Sequence, residues 1–428
     1  MSPTRVVTLG GGFAGTATAR ALDRAGRERV DVTLVSRENF MLFTPMLPEV
    51  AGGSIDGRDI MQPLRAALAN RPSSRFELGE AIEADTTGKT VTLRHPVTGD
   101  EKTLAYDELV LAIGSTASTM GVPGVAEFAL PFKTMADAET VRRRVVGALE
   151  AAAGTTDLLE RDRLLRFAIV GGDFTGVELA GELRAFLSSI LAYYPGIDPG
   201  AVELVVVESG ERLLGHLPEK FGKYAAAVLS GRRISLRLRE DVASVDDGGI
   251  ALRGGERIAS ATVIWAAGEK PSPLAEALGL KTDKHGAIET GPDFAVGPHV
   301  WALGDCAAVP RPHGGTYAPL AQNAIREGAL LGRNILARIA GRPTRPFRYR
   351  ELGQMASLGD RTGIAALPGG HMLAGLPAWL LWRAYYLGRV PGWADKARIA
   401  LDWSIGSAFK PPTSRLSMLQ EKTHAFGR

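Results

Sequence analysis

The sequence predicts an α/β chain built from two Rossmann-like strand–turn–helix units, with a helical segment at the C-terminal end. Three observations predict it. Glycines stand at G-x-G-x-x-G spacing (Gly10, Gly12, Gly15) between a short apolar run and an Ala-rich stretch. A near copy of that pattern begins at Arg166. Four of the six tryptophans, Trp379, Trp382, Trp393 and Trp403, lie in the last sixty residues.

The first unit opens with Val6, Val7 and Leu9 as a strand, then the glycine turn, then a helix from Ala14 to about Arg24. Strand, turn and helix in that order are the context of a Rossmann-like dinucleotide fingerprint. Gly10 allows the tight turn, Gly12 lets a pyrophosphate approach the backbone, and Gly15 lets helix and strand pack closely. Val30–Val35 is the next strand, and an acid at its end would hold the adenosine ribose. The chain instead offers Ser36, Arg37 and Glu38. Either Ser36 with Glu38 replaces the acid, or the ribose is held differently.

Residues 39–53 read as an apolar loop broken by Pro45 and Pro48, which covers something flat or lines a core. Asp59–Ala69 reads as a helix. Phe76–Glu83, Thr90–Arg94 and Lys102–Leu104 read as short antiparallel strands. Tyr106–Ser115 is a buried strand running into a small-residue turn, and Asp137–Ala152 a helix.

Arg166–Glu182 then repeats strand, glycine turn and helix, with Gly171, Gly172 and Gly176 in the turn. Its second strand, Val202–Val207, does end on an acid, Glu208. Two nucleotide units in one chain mean two dinucleotides: a flavoprotein that also takes a nicotinamide needs both. Ala261–Gly268 resembles Tyr106–Ser115, as if each unit closed with the same strand and turn. Asp305 follows a strand and Gly304, placed to accept hydrogen bonds from ribityl hydroxyls; an N-cap is the plainer reading. Pro319 starts a helix that runs to about Ala340 and carries Gln322, Asn323 and Glu327.

Composition excludes several classes. The chain has 428 residues, too many for one core. Its net charge of +3, with no long run of like charges, argues against nucleic acid. Cys306 is the single cysteine, so no disulfide framework or cysteine zinc site forms within the chain. The seven histidines are scattered, and no metal site is expected. Val6–Leu9 is too short for the core of a signal peptide. No apolar run is long enough to span a bilayer. From Arg342 the character changes. Trp379, Trp382 and Tyr386 share a helix face with Arg383, and Asp395, Arg398 and Asp402 fall opposite Trp393, Ala397 and Leu401. Short helices with Trp and Tyr beside Arg and Lys suit a membrane surface. A homodimer interface or ordinary core has a similar composition.

These residues together resemble type II NADH dehydrogenase, the single-subunit NADH:quinone oxidoreductase of the two-dinucleotide-binding-domain flavoproteins. The likeness rests on Gly10–Thr16, residues 43–52, Leu109–Ser115, Thr175–Gly181, Trp265–Gly268, Gly304–Ala307, Pro319–Gly328 and the tail Gly375–Trp403. The resemblance implies non-covalent FAD in a split domain, 1–122 with 288–346. It implies NADH in 123–287, and a membrane-association segment, 347–428, that admits a membrane quinone. Carried over residue by residue, the FAD set is Gly10, Gly12, Phe13, Ala14, Gly15, Ser36, Arg37, Pro45, Gly114, Asp305 and Ala321. The NADH set is Gly171, Gly172, Thr175, Gly176, Glu208 and Gly268. Glu178 falls near the nicotinamide, with a helix-terminal acid as the plainer reading, and Gln322 at the quinone end. The expected place is the cytoplasmic face of a membrane, bound peripherally, and the reaction does not pump protons.

One departure matters. Asp173 stands where the second glycine of the inner fingerprint belongs, so a side chain sits where the NADH pyrophosphate should come near the backbone. Asp173 either weakens NADH binding or points aside. Glu208 favours NADH over NADPH because it repels a 2′-phosphate. A flavoprotein reductase with a non-quinone acceptor, or a non-catalytic FAD-binding protein, are the alternatives. The cysteine pair that disulfide and sulfide reductases need is missing.

Overall fold

Residues 2–406 and 409, apart from 27, 70, 72, 351 and 391, are described by a computed structural model. The end of the expected C-terminal segment, from 410 on, lies outside the described residues. The chain divides into two compact units. The first comprises residues 1–42, 61–116 and 269–351; the second comprises 43–60, 117–268 and 352–428.

The first unit is built on a six-stranded sheet. Its order is Ala295–Gly297, Val300–Ala302, Glu108–Leu111, Thr4–Leu9, Val30–Ser36 and Ser74–Leu78. All neighbours are parallel except the first pair. The central strands are buried on both faces, which is why Val6, Val7, Leu9, Val32 and Leu34 run nearly without polar interruption. Helix Phe13–Gly26 packs against helix Ala321–Ile339 through small residues. A Cβ on Gly328 would lie 2.8 Å from the Cβ of Ala17, and one on Gly332 would lie 2.6 Å from that of Ala21. That close seam needs glycine on one helix and alanine on the other. A three-stranded antiparallel sheet, Glu80–Asp85, Thr90–Arg94 and Glu101–Ala105, completes the unit.

The second unit repeats the plan. Its five parallel strands run in the order Ala129–Pro131, Thr262–Trp265, Arg166–Val170, Glu203–Glu208 and Ile234–Leu238. Helix Met135–Gly154 opens with a capping box, in which Thr134 and Asp137 each satisfy the other's backbone. Besides the three-stranded sheet Val242–Asp246, Gly249–Leu252 and Arg257–Ala259, another, Gln354–Ser357, Gly363–Ala366 and Met372–Gly375, leads into the C-terminal helices Leu376–Arg389 and Trp393–Gly406. Among the described residues no helix is long and apolar enough to cross a membrane.

Three local expectations change. Residues 39–53 are not an open loop: Phe40–Leu42 is a strand, Thr44–Met46 a 3-10 turn and Leu47–Ala51 a short helix. Pro45 and Pro48 each sit at the first turn of one of these, where a missing N–H costs nothing. Asp59–Ala69 is not one helix: Met61–Pro63 pairs with Phe40–Leu42, and only Leu64–Leu68 is α-helical. The strand read at Phe76–Glu83 is two strands divided at Gly79, the first of them parallel to Val30–Ser36 in the main sheet.

Candidate functional site

The first glycine turn sits in the first unit. Gly10 has φ of 112°, and a Cβ there would lie 2.0 Å from the carbonyl oxygen of Ala112. A Cβ on Gly15 would lie 1.9 Å from the carbonyl oxygen of Gly10. Both glycines are needed to let backbone meet backbone. Gly12 differs: a Cβ there would meet nothing within 4 Å. The space over Gly12 and the start of helix Phe13–Gly26, with Phe13 and Ala14 in its first turn, suits a pyrophosphate. Ser36 ends the neighbouring strand, and its hydroxyl accepts from the Glu38 amide at 3.3 Å. Arg37 reaches Glu80 at 3.4 Å on the surface. Gly114, with φ of 68°, turns the chain after Glu108–Leu111.

The same unit holds Asp305 in a 3-10 turn, Gly304–Cys306. Ser115 donates to its carboxylate at 3.3 Å. Asp305 lines a cleft with Pro319, Leu320, Asn323 and Glu327. Glu327 accepts from the Gly304 amide at 2.8 Å. Burial pushes its carboxyl up to about 7; the Gly304 bond opposes this and the Asp305 charge adds to it. Asn323 is 1% exposed and donates to the Ala318 carbonyl, while its Oδ1 has no hydrogen-bond partner. Among the described residues no side chain caps helix Ala321–Ile339, and Leu320, which precedes it, lines the cleft. An open cradle at Gly12, an acid at Asp305, an orphaned amide oxygen and an uncapped helix fit FAD. Gln322 is fastened nearby in sequence, accepting from the Tyr349 hydroxyl at 3.1 Å. Of the residues assigned to FAD, Pro45 alone belongs to the other unit.

The second unit carries the second turn. Gly171 has φ of 114°, and a Cβ would lie 2.9 Å from the Ala266 carbonyl. A Cβ on Gly176 would lie 1.8 Å from the carbonyl oxygen of Gly171. Glu208, at the end of its strand, accepts from the Gly172 amide and the Gly210 amide, each at 2.6 Å. The oxygen facing Gly210 also accepts from the Ser209 hydroxyl at 3.4 Å, and the one facing Gly172 keeps a further lone pair for a ribose hydroxyl. Thr175 is in the first turn of helix Phe174–Ile190, and Gly268, with φ of 72°, follows strand Thr262–Trp265. Asp173 immediately precedes the helix. Its carboxylate turns to the imidazole Nε2 of His216, 3.0 Å away, and does not cap the helix.

Further along that helix, Glu178 and Glu182 are buried under the C-terminal sheet and helices. Glu178 accepts from the Ser357 amide at 2.9 Å and from the Trp382 indole at 3.1 Å. Burial pushes its carboxyl from an ordinary 4.5 to about 8; the two bonds oppose this, and Glu182 and Asp173 add to it. Glu182 accepts from the hydroxyls of Ser54 and Ser357. Glu49, 2% exposed, accepts from the Trp403 indole at 3.3 Å and lies 4.0 Å from Arg383. Burial also pushes the Glu49 and Glu182 carboxyls up, with Arg383 opposing both. The Arg383 guanidinium lies over the rings of Trp379 at 3.8 Å and Trp403 at 4.3 Å.

This corrects the reading of the tail. Arg383 is not a surface cation reaching for lipid; it is the counter-charge of a buried carboxylate group. Glu49 and Glu182 escaped sequence reasoning. The signal for Glu182 was its place four residues after Glu178, on the same helix face. Glu49, inside an apolar segment, offered none.

The family described as pyridine nucleotide-disulphide oxidoreductase matches residues 4–328, and the NDH2 C-terminal domain matches residues 352–410. The chain is 33% identical over 418 residues to the type II NADH:quinone oxidoreductase NdhA of Mycobacterium tuberculosis, covering 94% of this chain and 86% of the relative. It is 30% identical over 408 residues to the demethylphylloquinone reductase NdbB of a Synechocystis species, covering 93% and 95%. The fold of NDH2 from Plasmodium falciparum in complex with NADH superposes with a TM-score of 0.89 at 18% identity, covering 96% of this chain and all of that one. The chain therefore belongs to the pyridine nucleotide-disulphide oxidoreductases, among their type II NADH:quinone oxidoreductases.

Proposed function

We infer that the protein is a non-pumping NADH:quinone oxidoreductase with non-covalent FAD, working at a membrane surface. The observation that carries this is one chain holding two dinucleotide folds together with the C-terminal domain of its family. When bound, FAD supplies the chemistry, accepting hydride from NADH and passing two electrons to the quinone.

The residues of the chain bind, orient and hold protons. Gly12 and the start of helix Phe13–Gly26 receive the FAD pyrophosphate, and Asp305 accepts from the ribityl hydroxyls. The uncapped start of helix Ala321–Ile339, with Ala321 and Gln322, would offer N–H groups and a positive dipole end to FAD. Gly171, Gly172, Thr175 and Gly176 receive NADH. Glu208 accepts from its adenosine ribose and repels a 2′-phosphate. Glu178 lies one turn into the same helix, towards the nicotinamide end. Burial pushes its carboxyl up to about 8, which favours the protonated form at neutral pH, and that proton would serve a reduced acceptor.

The tail supports surface attachment. Trp382 is 1% exposed and packed inward, whereas Trp393 is 85% exposed. Leu376, Leu380, Leu401 and Ile405 are exposed with it, an apolar side of two short helices that suits the headgroup layer of the cytoplasmic face. A second copy of the chain is the other occupant such a side would suit.

The purified protein should be yellow, should bleach on adding NADH, and should reduce a long-chain quinone in liposomes. A double variant, W393A/L401Q, should lose vesicle co-sedimentation and quinone reduction while keeping ferricyanide reduction. A colourless protein, or one whose flavin NADH does not bleach, ends the enzyme reading. Unchanged sedimentation ends the membrane reading of the tail.

A further inference from the structure

The second fingerprint has a carboxylate where a dinucleotide needs open backbone. Asp173 precedes helix Phe174–Ile190, whose N-terminus would otherwise attract a pyrophosphate. An unneutralised carboxylate there repels a diphosphate. The structure supplies a partner. His216 Nε2 is 3.0 Å from Asp173 Oδ1, and the His216 ring lies against Phe174 with centroids 5.6 Å apart.

The loop that carries His216 is fixed. The Leu214 amide donates to the Gly172 carbonyl at 2.9 Å, and Leu213 and Leu214 are fully buried. The other cations of that loop and of the helix after it are turned elsewhere. Arg212 donates to the Gly215 carbonyl, Lys220 to the Gly370 carbonyl, and Lys223 pairs with Glu219. Glu208 adds negative charge on the far side of Asp173, and Glu178 lies deeper in the same helix.

We propose that His216 is the positioning residue that makes this fingerprint usable: it neutralises Asp173 and turns its carboxylate aside, so that the pyrophosphate of NADH meets no net negative charge at the helix start. The proposal rests on the NADH reading above. It makes dinucleotide affinity depend on acidity. The His216 and Asp173 side chains are 49% and 55% exposed, and partial burial holds the Asp173 carboxyl above the usual range, with His216 and the Phe174 amide opposing and Glu208 reinforcing. Acid adds a proton to Asp173, so affinity for a diphosphate rises as pH falls.

The test is calorimetry on the FAD-loaded protein with ADP-ribose, which carries the pyrophosphate and both riboses and cannot reduce flavin. Wild type should bind more tightly at acid than at alkaline pH. H216A, which removes the partner 3.0 Å from Asp173, should weaken binding about tenfold. H216Q, which keeps bulk against Phe174 without the charge, should do the same. D173G should bind several-fold more tightly than wild type, and in that background H216A should change nothing. ADP-ribose binding by H216A and H216Q equal to wild type would overturn the proposal. So would an equal loss on H216A with and without Asp173, which would make His216 a ligand in its own right. Wild type that binds no ADP-ribose at any pH would overturn the NADH reading itself, and this proposal with it.

Discussion

The two glycine turns answer one problem with different chemistry. Position for position they agree: Gly10 and Gly171 have φ of 112° and 114°, and Gly15 and Gly176 would each drive a Cβ to within 2 Å of a carbonyl oxygen. They part at two places that we assign to the dinucleotides. Gly12 looks onto empty space where the second turn has Asp173. Ser36 ends the strand where the second unit has Glu208. They part again on the helix face behind the turn. Ala17 and Ala21 meet Gly328 and Gly332 of a packed helix. At the equivalent positions of the second helix, Glu178 and Glu182 meet Ser357 and the Trp382 indole. Backbone geometry is set by contacts between backbones, so it repeats; side chains that meet a ligand or a covering element do not have to.

The largest effects should come where the turns agree. G15V and G176V each force a side chain into a carbonyl oxygen. G15V should give a colourless protein. G176V should stay yellow and fail to bleach with NADH, as absorbance at the flavin band will show. If G176V also loses its flavin, the two sites are not separable and the comparison breaks.

Next come the places where they differ. G12D transplants the carboxylate of the second turn without its histidine. FAD affinity should fall on the order of 100-fold, measured by flavin retention on gel filtration. Retention at the wild-type level would mean that a carboxylate at this position is harmless, and the contrast with Asp173 carries no energy. E208Q removes the charge at the end of the second strand. Preference for NADH over NADPH, as the ratio of kcat/KM values, should fall about tenfold. An unchanged ratio would remove Glu208 from the specificity argument.

The repeated turn was legible because its requirement is local: a strand, three small residues and a helix leave a pattern in the chain. Asp305 and Glu208 were legible for the same reason, each at the end of a strand. What stayed hidden depends on partners far away in sequence. Phe40–Leu42 forms a strand only because Met61–Pro63 pairs with it, which no local pattern announces. Pro45 and Pro48 suggested a loop because the short turns they begin hold only three and five residues. Trp382, Arg383 and Trp403 looked like interfacial residues. Composition cannot separate an indole facing lipid from one donating to a buried carboxylate 204 or 354 residues away.

The smallest expected effect concerns the helix faces. Glu178 occupies the position that Ala17 holds in the first unit, and its carboxyl is raised from 4.5 to about 8 by burial. A raised native value means that the folded protein holds this proton more tightly than the unfolded chain. The stabilisation is full below the unfolded value, shrinks as pH rises through the interval, and is gone above about 8. E178Q has no proton to lose there, and its amide oxygen can still accept from Ser357 and Trp382. The Tm of E178Q minus that of wild type should therefore grow from acid to alkaline pH, by a few degrees, and level off above pH 8. Glu49 and Glu182 titrate in both proteins, so the difference isolates Glu178. A difference that stays flat across the interval would mean that Glu178 is ionised in the native state. The buried face of the second helix would then be an ion cluster, with no proton held for the acceptor.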